Sequence, residues 1–499
     1  MVEHTQPETP SFLQQRRAGI LLHISSLPSP GVTGELGGDA YRFVDFLTSS
    51  GMTIWQMLPV GPTMAEGSPY QTNSVHAGNP QFISLEPVME KGWLKEYPLE
   101  EEALSEEGKQ FALSLSWEGF KEYAGEQDRQ ALERFVATNH YWLEDYALFR
   151  ALQGELGGCW WLWPEGLRTR QPQALAEARA RLSDALEYIE YEQFLFFSQW
   201  ARLKEYANGK GVLLFGDMPI FVAHDSAEVW AHPEDFYLDE NGLPTVVAGV
   251  PPDYFSETGQ RWGNPLYRWD RLEAEGFKFW VDRMHTQMRI FDIIRIDHFR
   301  GLEAYWEIPA TEETAVNGRW VKAPGEALFD TLYSEFDSLP LVAEDLGIIT
   351  PEVEALRRAY GLPGMKILQF AFSGGPQNPY LPFNHSHDSV VYTGTHDNDT
   401  TLGWYTSLDD GTRQYVDNFL GRSKEPMPWP LIRCALVSHA QMAIIPLQDA
   451  LGLDGRHRMN TPGTTEGNWR WRFDWADMDP ELASRLHSRV SMYGRDVRG

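Results

Sequence analysis

Acidic residues follow apolar segments of this sequence at four places, each directly or shortly after the segment ends. They are Asp217 after Leu-Leu-Phe-Gly, Asp297 after Ile-Ile-Arg-Ile, Glu344 and Asp345 after Leu-Val-Ala, and Asp397, with His396 before it, after Val-Val-Tyr-Thr-Gly-Thr. One such acid is most often a surface turn residue, but the carboxyl ends of successive strands converge on one cleft if the strands form a barrel. Two carboxyl groups that flank a bond, one protonated and one ionised, can cleave a glycosidic bond. The four positions therefore favour acid–base chemistry in one cleft.

Metal binding is the alternative use of the same acids. The sequence has no His-x-x-x-His segment and no pattern of two histidines with one carboxylate. Its two cysteines, Cys159 and Cys434, do not have the spacing of metal ligands. We therefore expect neither a metal ion nor a cofactor.

Arg295 and Asp297 lie in a short apolar run that begins at Phe291 and is rich in β-branched residues, typical of a strand buried on both faces. At positions i and i+2, their side chains leave a strand by the same face. One interpretation is an internal ion pair that fixes the strand register. The other is a carboxylate, kept ionised by the adjacent guanidinium, that acts as a nucleophile.

Eight segments have the composition of buried strands, and helical segments separate most of them. They are Gly19–His23, Ile54–Pro59, Val212–Phe215, the run that begins at Phe291, Leu339–Ala343, Met365–Phe370, Ser389–Thr393 and Ala443–Leu447. Eight β/α steps predict an α/β protein with a (β/α)₈ TIM barrel. A doubly wound open sheet is the alternative, but no G-x-G-x-x-G motif follows the first strand.

Two long segments interrupt this rhythm of strands. Residues 83–194 carry charged and aromatic residues at helical spacing, and we interpret them as a mostly helical insertion. Residues 222–270 are dense in Trp, Pro, Gly and Tyr, which indicates an aromatic insertion over the active site. Both insertions would lie at the C-terminal face of the strands, in a single catalytic barrel formed by residues 1–499.

The charge and composition restrict the partners and the compartment. A formal net charge of −29 repels phosphate backbones and anionic lipids, so it argues against nucleic-acid and membrane partners but not against a neutral sugar. No run reaches the roughly 18 to 20 apolar residues of a membrane span. The N-terminal residues lack a signal pattern and the two cysteines fit reduced thiols, so we expect a cytoplasmic protein. The oligomeric state stays open.

Four short motifs resemble the conserved regions of the α-amylase superfamily of retaining glucan enzymes. They are Asp217-Met-Pro-Ile, Arg295-Ile-Asp297-His298, Glu344-Asp345-Leu-Gly and Thr395-His396-Asp397-Asn398. Within that superfamily, the chain is most similar to the amylomaltases, which are 4-α-glucanotransferases or disproportionating enzymes. Ser68-Pro69-Tyr70-Gln71, residues 248–264 and 394–401, and the tail 458–469 carry this likeness. The resemblance runs from Gly19 to Trp469 and implies a barrel without the C-terminal β-sandwich of true amylases.

The resemblance implies a role for each residue that matches a family motif. Asp297 would be the nucleophile, Glu344 the general acid/base, and Asp397 the transition-state stabiliser that grips the sugar hydroxyls. Arg295 would hold Asp297 ionised. The residues that would bind the sugar in the cleaved subsite are His396, Asp217 and Tyr70, and those that would line neighbouring subsites are Phe370, Tyr254 and Trp262.

These roles imply a 4-α-glucanotransferase that acts on maltooligosaccharides and other α-1,4-glucans, as in starch and maltodextrin metabolism. A covalent glycosyl-enzyme on Asp297 would pass its segment to the 4-hydroxyl of an acceptor with retention. Two alternatives remain. A hydrolase would use the same acids with water as acceptor, and only its products from maltotriose would differ. A non-catalytic glucan-binding protein is the other, and the presence of all three carboxylates argues against it.

Overall fold

A computed structural model describes residues 10, 14–95, 105–253, 256–421 and 423–497. Within these ranges, no helix is both long enough and apolar enough to cross a membrane. The predicted Tyr254 lies outside the described residues.

In the described part of the chain, twelve strands form two sheets. The strands are β1 (Arg17–Leu21), β2 (Ile54–Gln56), β3 (Leu213–Met218), β4 (Val246–Val250), β5 (Gln260–Pro265), β6 (Ile293–Ile296), β7 (Ala304–Pro309), β8 (Arg319–Lys322), β9 (Leu341–Ala343), β10 (Gly364–Ile367), β11 (Ser389–Tyr392) and β12 (Met442–Pro446). Eight of them overlap the eight predicted segments. The match is partial at β2, which ends at Gln56 rather than Pro59, and at β10, where Leu368–Phe370 forms a 3₁₀ turn rather than continuing the strand.

The larger sheet is the predicted barrel. Its strands run in the order β10-β11-β12-β1-β2-β3-β6-β9, and each pair of neighbours in this order is parallel. The two ends of this order, β9 and β10, are joined by a hydrogen bond of 2.8 Å from the Ala343 N–H to the Pro363 carbonyl. The sheet is thus nearly closed on itself, and the prediction of a (β/α)₈ barrel is confirmed.

Helices surround this barrel and fill the long connection between β2 and β3. They are α1 (Gly38–Ser49), α2 (Glu86–Glu90), α3 (Glu106–Tyr123), α4 (Glu126–Leu156), α5 (Glu165–Arg168), α6 (Pro172–Arg181), α7 (Ser183–Gly209), α8 (Ala227–Ala231), α9 (Trp269–Ala274), α10 (Lys278–Ile290), α11 (Gly325–Glu335), α12 (Pro351–Ala359), α13 (Thr401–Ser407), α14 (Asp410–Leu420), α15 (Trp429–Val437), α16 (Leu447–Ala450) and α17 (Leu482–Met492). The helices α2 to α6 and the start of α7 fall within residues 83–194.

The smaller sheet is antiparallel, with strand order β5-β4-β7-β8. Its first two strands, β4 and β5, lie within residues 222–270, and the other two follow β6. The sequence does not predict this sheet. Except for β4 (Val-Val-Ala-Gly-Val), its strands include polar or charged residues and do not form the apolar runs that mark most of the barrel strands.

The strands of the barrel alternate between two apolar layers, as the two-residue period of a strand requires. In β12, Met442 and Ile444 belong to the cluster inside the barrel. Their neighbours Ala443 and Ile445 belong to the outer cluster, which packs against the helices. This alternation decides which side chains of each strand point into the barrel.

Candidate active site

The strand alternation directs the predicted polar residues to the inner side of the barrel. Phe215, Ile293 and Val342 belong to the interior cluster. Each of them is followed two residues later by a predicted polar residue: Phe215 by Asp217, Ile293 by Arg295, and Val342 by Glu344. Residues two positions apart on a strand share a face, so these polar side chains also point into the barrel, at its C-terminal end.

Strand pairing places these residues side by side. Asp217 on β3 is the register partner of Arg295 on β6. Ile296 pairs with Ala343 on β9, so the residues that follow them, Asp297 and Glu344, begin at neighbouring strand ends. Adjacent strands lie about 4.8 Å apart. The side chains of Asp297 and Glu344 therefore leave the backbone as neighbours.

Arg295 bridges two of the acids. Its Nη1 is 2.6 Å from Asp217 Oδ2 and its Nη2 is 2.9 Å from Asp297 Oδ1. Burial opposes the charge of Arg295, but the two carboxylates outweigh that effect, so its pKa lies above the usual value. The Asp217 side chain is 1% exposed, whereas that of Asp297 is 28% exposed. Arg295 therefore holds a buried acid on one side and an accessible one on the other.

Tyr70 and His396 lie side by side next to Asp217 and Arg295. The Tyr70 hydroxyl lies 2.8 Å from Asp217 Oδ2 and 2.9 Å from His396 Nε2. Their rings are stacked, with centroids 5.4 Å apart and an interplanar angle of 17°. Burial and then the Asp217 charge raise the pKa of Tyr70 well above its usual value, so the phenol stays protonated and donates.

Glu344 is held by backbone donors. The N–H of His298 donates to Oε2 at 2.8 Å, and the N–H of Leu346 donates to Oε1 at 3.0 Å. Burial raises the pKa of the Glu344 carboxyl to about 8; the Arg295 charge opposes this rise and the Asp297 charge adds to it. Glu344 is thus mostly protonated at neutral pH, next to a carboxylate that is paired with a guanidinium.

Asp397 is the most open of the predicted acids, with a side chain that is 47% exposed. Its Oδ1 accepts a hydrogen bond of 2.7 Å from Asn460 Nδ2 and lies 3.3 Å from His396 Nε2. Arg458 Nη2 donates to the Asp397 carbonyl at 3.0 Å. The loop after β11 is therefore fixed by the C-terminal segment of the chain, while the Asp397 carboxylate still faces solvent.

The structure describes two of the predicted aromatics, Trp262 and Phe370. Trp262, on β5 of the smaller sheet, is half-buried and its ring meets the His298 ring edge-on at 4.8 Å. His298 directly follows Asp297, so Trp262 stands beside the acids. Phe370 is 38% exposed and packs edge-on against Tyr380 at 5.5 Å.

Three residues of this site were not predicted from the sequence as members of it. They are His298, which donates its N–H to Glu344; Asn460, which binds Asp397; and Trp469, whose ring lies 6.0 Å from those of Tyr70 and His396. His298 and Trp469 have left-handed backbones, with φ of 50° and 65°. Such conformations are costly for non-glycine residues and concentrate at functional sites, but the amino-acid sequence does not predict where they occur.

The site brings together two carboxyl groups in different environments. That of Glu344 is mostly protonated at neutral pH, and that of Asp297 is partly exposed and paired with a guanidinium, as glycosidic cleavage by two acids requires. Among the residues that the structure describes, no group of three or more His, Cys, Asp or Glu side chains could hold a metal ion.

Comparison with known proteins shows the family of the chain. The family model described as 4-alpha-glucanotransferase matches residues 22–477. The chain belongs to the 4-α-glucanotransferase family. A 4-alpha-glucanotransferase of Thermus thermophilus is 51% identical to it over 491 residues, which are 95% of this chain and 98% of that protein. One from Aquifex aeolicus is 44% identical, over 97% of this chain and 100% of that protein.

Solved structures of the family agree with the fold. The amylomaltase from Streptococcus agalactiae in complex with acarbose is 35% identical, with a TM-score of 0.92, and the match covers 96% of this chain and 100% of that one. The amylomaltase from Corynebacterium glutamicum is 18% identical, with a TM-score of 0.78 over 97% of this chain and 76% of that one, and shows the fold alone. The chain is a 4-α-glucanotransferase with the amylomaltase barrel.

Proposed function

We propose that the chain transfers segments of α-1,4-glucans with Asp297 as nucleophile, Glu344 as general acid/base and Asp397 as transition-state stabiliser. The observation that carries this assignment is the contrast between the two acids at neighbouring strand ends. Asp297 lies 2.9 Å from the Arg295 guanidinium, whereas the pKa of Glu344 is raised to about 8. A double displacement needs one acid of each kind.

In the first step, an Asp297 oxygen attacks the anomeric carbon of the donor glucan. The bond between that carbon and the glycosidic oxygen breaks, and Glu344 gives its proton to the departing oxygen. The products are a glycosyl-enzyme ester on Asp297, an ionised Glu344 and a shortened glucan with a free 4-hydroxyl.

In the second step, Glu344 takes the proton of an acceptor 4-hydroxyl, and the acceptor oxygen attacks the anomeric carbon. The ester bond to Asp297 breaks, and the glucan is re-formed on the acceptor with its original configuration. Each step inverts the anomeric carbon, so two steps retain it. Glu344 ends the cycle protonated and Asp297 ends it ionised.

The remaining polar residues of the site bind the sugar ring at the cleaved bond. Asp397 is supported by Asn460 and open to solvent, so it can accept hydrogen bonds from two sugar hydroxyls. Tyr70 and His396 present a stacked pair, and Asp217 with Arg295 fixes that pair from behind. These four side chains would hold the sugar ring with its anomeric carbon next to Asp297. Such positioning lowers the entropic part of the activation barrier.

Transfer rather than hydrolysis requires that an acceptor sugar displace water at about 55 M. We assign the acceptor side to Trp262, because its flat ring stands beside His298 and suits the apolar face of glucose. Tyr254 and Phe370 belong to this proposal as further subsite aromatics. Closure of the aromatic segment 222–270 over the site would keep water from a productive approach.

We also propose that residues 1–499 act as one catalytic unit, with 83–194 as a helical insertion and 222–270 as an insertion over the active site. The positions of α2 to α6 and of β4 and β5 support these boundaries. The cysteines Cys159 and Cys434 are free, which supports a reducing compartment such as the cytosol.

A product assay with maltotriose tests the proposed reaction. Transfer of a maltosyl group gives glucose and maltopentaose, transfer of a glucosyl group gives maltose and maltotetraose, and in both cases the number of reducing ends stays constant. Hydrolysis raises the number of reducing ends and gives no longer oligomers. A reaction that produced only glucose and maltose would overturn the transferase assignment, and the Asp297→Asn variant serves as the inactive control.

A further inference from the structure

A cluster of aromatic side chains lies at the surface between the β10–β11 connection and helix α14. Phe383 is 64% exposed and Tyr415 is 40% exposed. Phe419 joins them, with ring centroids 6.3 Å from Phe383 and 6.5 Å from Tyr415, and Phe372 anchors the group from below at 5.5 Å from Phe419. We call these four residues the aromatic platform.

The residues that carry the aromatic platform are fixed by packing and hydrogen bonds. Tyr415 and Phe419 are one turn apart on α14, next to Val416 and Leu420, which are buried and tie the helix to the core. Phe383 is held in a loop that is bonded from within. Such rings are presented in a fixed orientation, which lowers the entropic cost of binding a partner.

Two asparagines provide the bonds within that loop. Asn378 Nδ2 donates to the Phe370 and Ser373 carbonyls at 2.8 and 2.9 Å. Asn384 Nδ2, next to Phe383, donates to the Pro376 and Asn378 carbonyls at 2.9 and 2.8 Å. These hydrogen bonds therefore hold the Phe383 ring in place, although most of the ring is exposed and little of it is buried against the protein.

The charge of this surface favours a neutral ligand. The 21 residues from Ile367 to His387 contain no Asp, Glu, Lys or Arg, in a chain with 23% charged residues and a net charge of −29. Helix α14 carries Asp410, Arg413 and Asp417, so it is the loop side of the platform that lacks Asp, Glu, Lys and Arg. That side, with its flat aromatic rings and amide groups, suits a polyhydroxylated ligand, whose sugar rings have apolar faces and hydroxyl edges.

The platform is continuous with the active site along the same loop. The loop begins at Phe370, the predicted subsite aromatic, whose ring contacts Tyr380. Asn378 then links the Phe370 carbonyl to the part of the loop that leads to Phe383. A chain of sugars that leaves the cleft past Phe370 can follow this loop to the platform.

We propose that the aromatic platform is a second binding site for the α-glucan substrate, outside the catalytic cleft. Its occupant is a stretch of a long α-1,4-glucan chain whose rings stack on Phe383, Phe419 and Tyr415. The site would keep the enzyme on a polymer between transfer events and contribute nothing to the turnover of maltotriose. This inference rests on the glucan substrate assigned under the proposed function.

Affinity electrophoresis through a gel that contains amylose tests the site. All proteins carry Asp297→Asn, so that the glucan in the gel is not remodelled during the run. Replacing Phe383 and Tyr415 together by Ala should raise the apparent Kd for amylose by roughly 3- to 10-fold, the loss expected for two stacking contacts. In an otherwise native background, the same pair of substitutions should leave kcat/KM for maltotriose unchanged.

Matched variants separate stacking from general loss of apolar surface. Phe383→Tyr keeps a flat ring and should be retarded like the parent, whereas Phe383→Leu keeps the apolar character without the ring and should be retarded less. Leu162→Ala, at another apolar side chain that is 74% exposed, should have no effect.

Three results would overturn the proposal. Unchanged retardation of the Phe383 and Tyr415 double variant would show that the platform does not bind glucan. A sedimentation velocity experiment in which the parent is a dimer and the double variant a monomer would assign the platform to a second copy of the chain. A parallel fall in kcat/KM for maltotriose would place these rings in the catalytic cleft. Failure of the proposed function is seen separately, as activity of the single Asp297→Asn variant.

Discussion

The raised pKa of Glu344 predicts the basic limb of the pH profile. With an ordinary value of 4.5, about 0.3% of Glu344 would be protonated at pH 7, whereas with a pKa of about 8 roughly 90% is protonated. The local environment thus increases the amount of active acid at pH 7 by a factor of about 300. Because Glu344 must be protonated to act on the donor, kcat/KM should fall as pH rises through 8, approaching about tenfold per unit.

The assay is the initial rate of glucose release from maltotriose between pH 5 and 9.5 at constant ionic strength. A maltosyl fluoride donor of α configuration provides the control, because fluoride leaves without receiving a proton. For that donor, the basic limb of kcat/KM should be lost or strongly reduced. A basic limb centred below pH 6 for maltotriose would contradict the raised pKa. A limb near pH 8 that persisted unchanged with the fluoride would assign it to a group other than the general acid.

Three further perturbations test the surroundings of the acids. Trp262→Ala should raise the ratio of hydrolysis to oligomer growth in the maltotriose reaction, because acceptor binding weakens; equal falls in both rates would leave the residue a structural role. Asn460→Ala removes the 2.7 Å donor to Asp397 and should lower kcat/KM about tenfold without changing the urea midpoint. Between pH 4.5 and 8, Glu344 is protonated in the folded chain and ionised in the unfolded chain. The free energy of unfolding should therefore fall as the pH rises, by up to about 1.4 kcal/mol per pH unit, when it is compared with that of the Glu344→Gln variant. Parallel stability curves for these two proteins would contradict that linkage.

The barrel could be predicted from the sequence because its strands are buried on both faces. Segments such as Leu341–Ala343 and Met442–Pro446 are continuous apolar runs, and Glu344 directly follows the first of them. Apart from β4, the smaller sheet gives no such signal. Its strand β5 reads Gln-Arg-Trp-Gly-Asn-Pro, and its pairing with β4, then β7, is set by tertiary contacts rather than by local preference.

The same distinction holds within the active site. Asp217, Asp297 and Glu344 occupy positions that the two-residue period of a strand fixes, so their convergence follows from the barrel itself. Asn460 and Trp469 reach the site from a loop that is 63 and 72 residues beyond Asp397, and only the folded chain shows that they contact Asp397 and Tyr70. Sequence reasoning therefore finds side chains on strands more readily than those on loops.

Trapping of the glycosyl-enzyme is the most direct test of the central claim that Asp297 is the nucleophile. In Glu344→Gln, α-maltosyl fluoride can still glycosylate the enzyme, because its leaving group needs no proton, but the ester is long-lived without the base that activates an acceptor. Mass spectrometry of a protease digest should then find a maltosyl group on the peptide that contains Asp297, and no adduct when Asp297→Asn is added. An adduct on another residue, such as Asp397, would contradict the assignment.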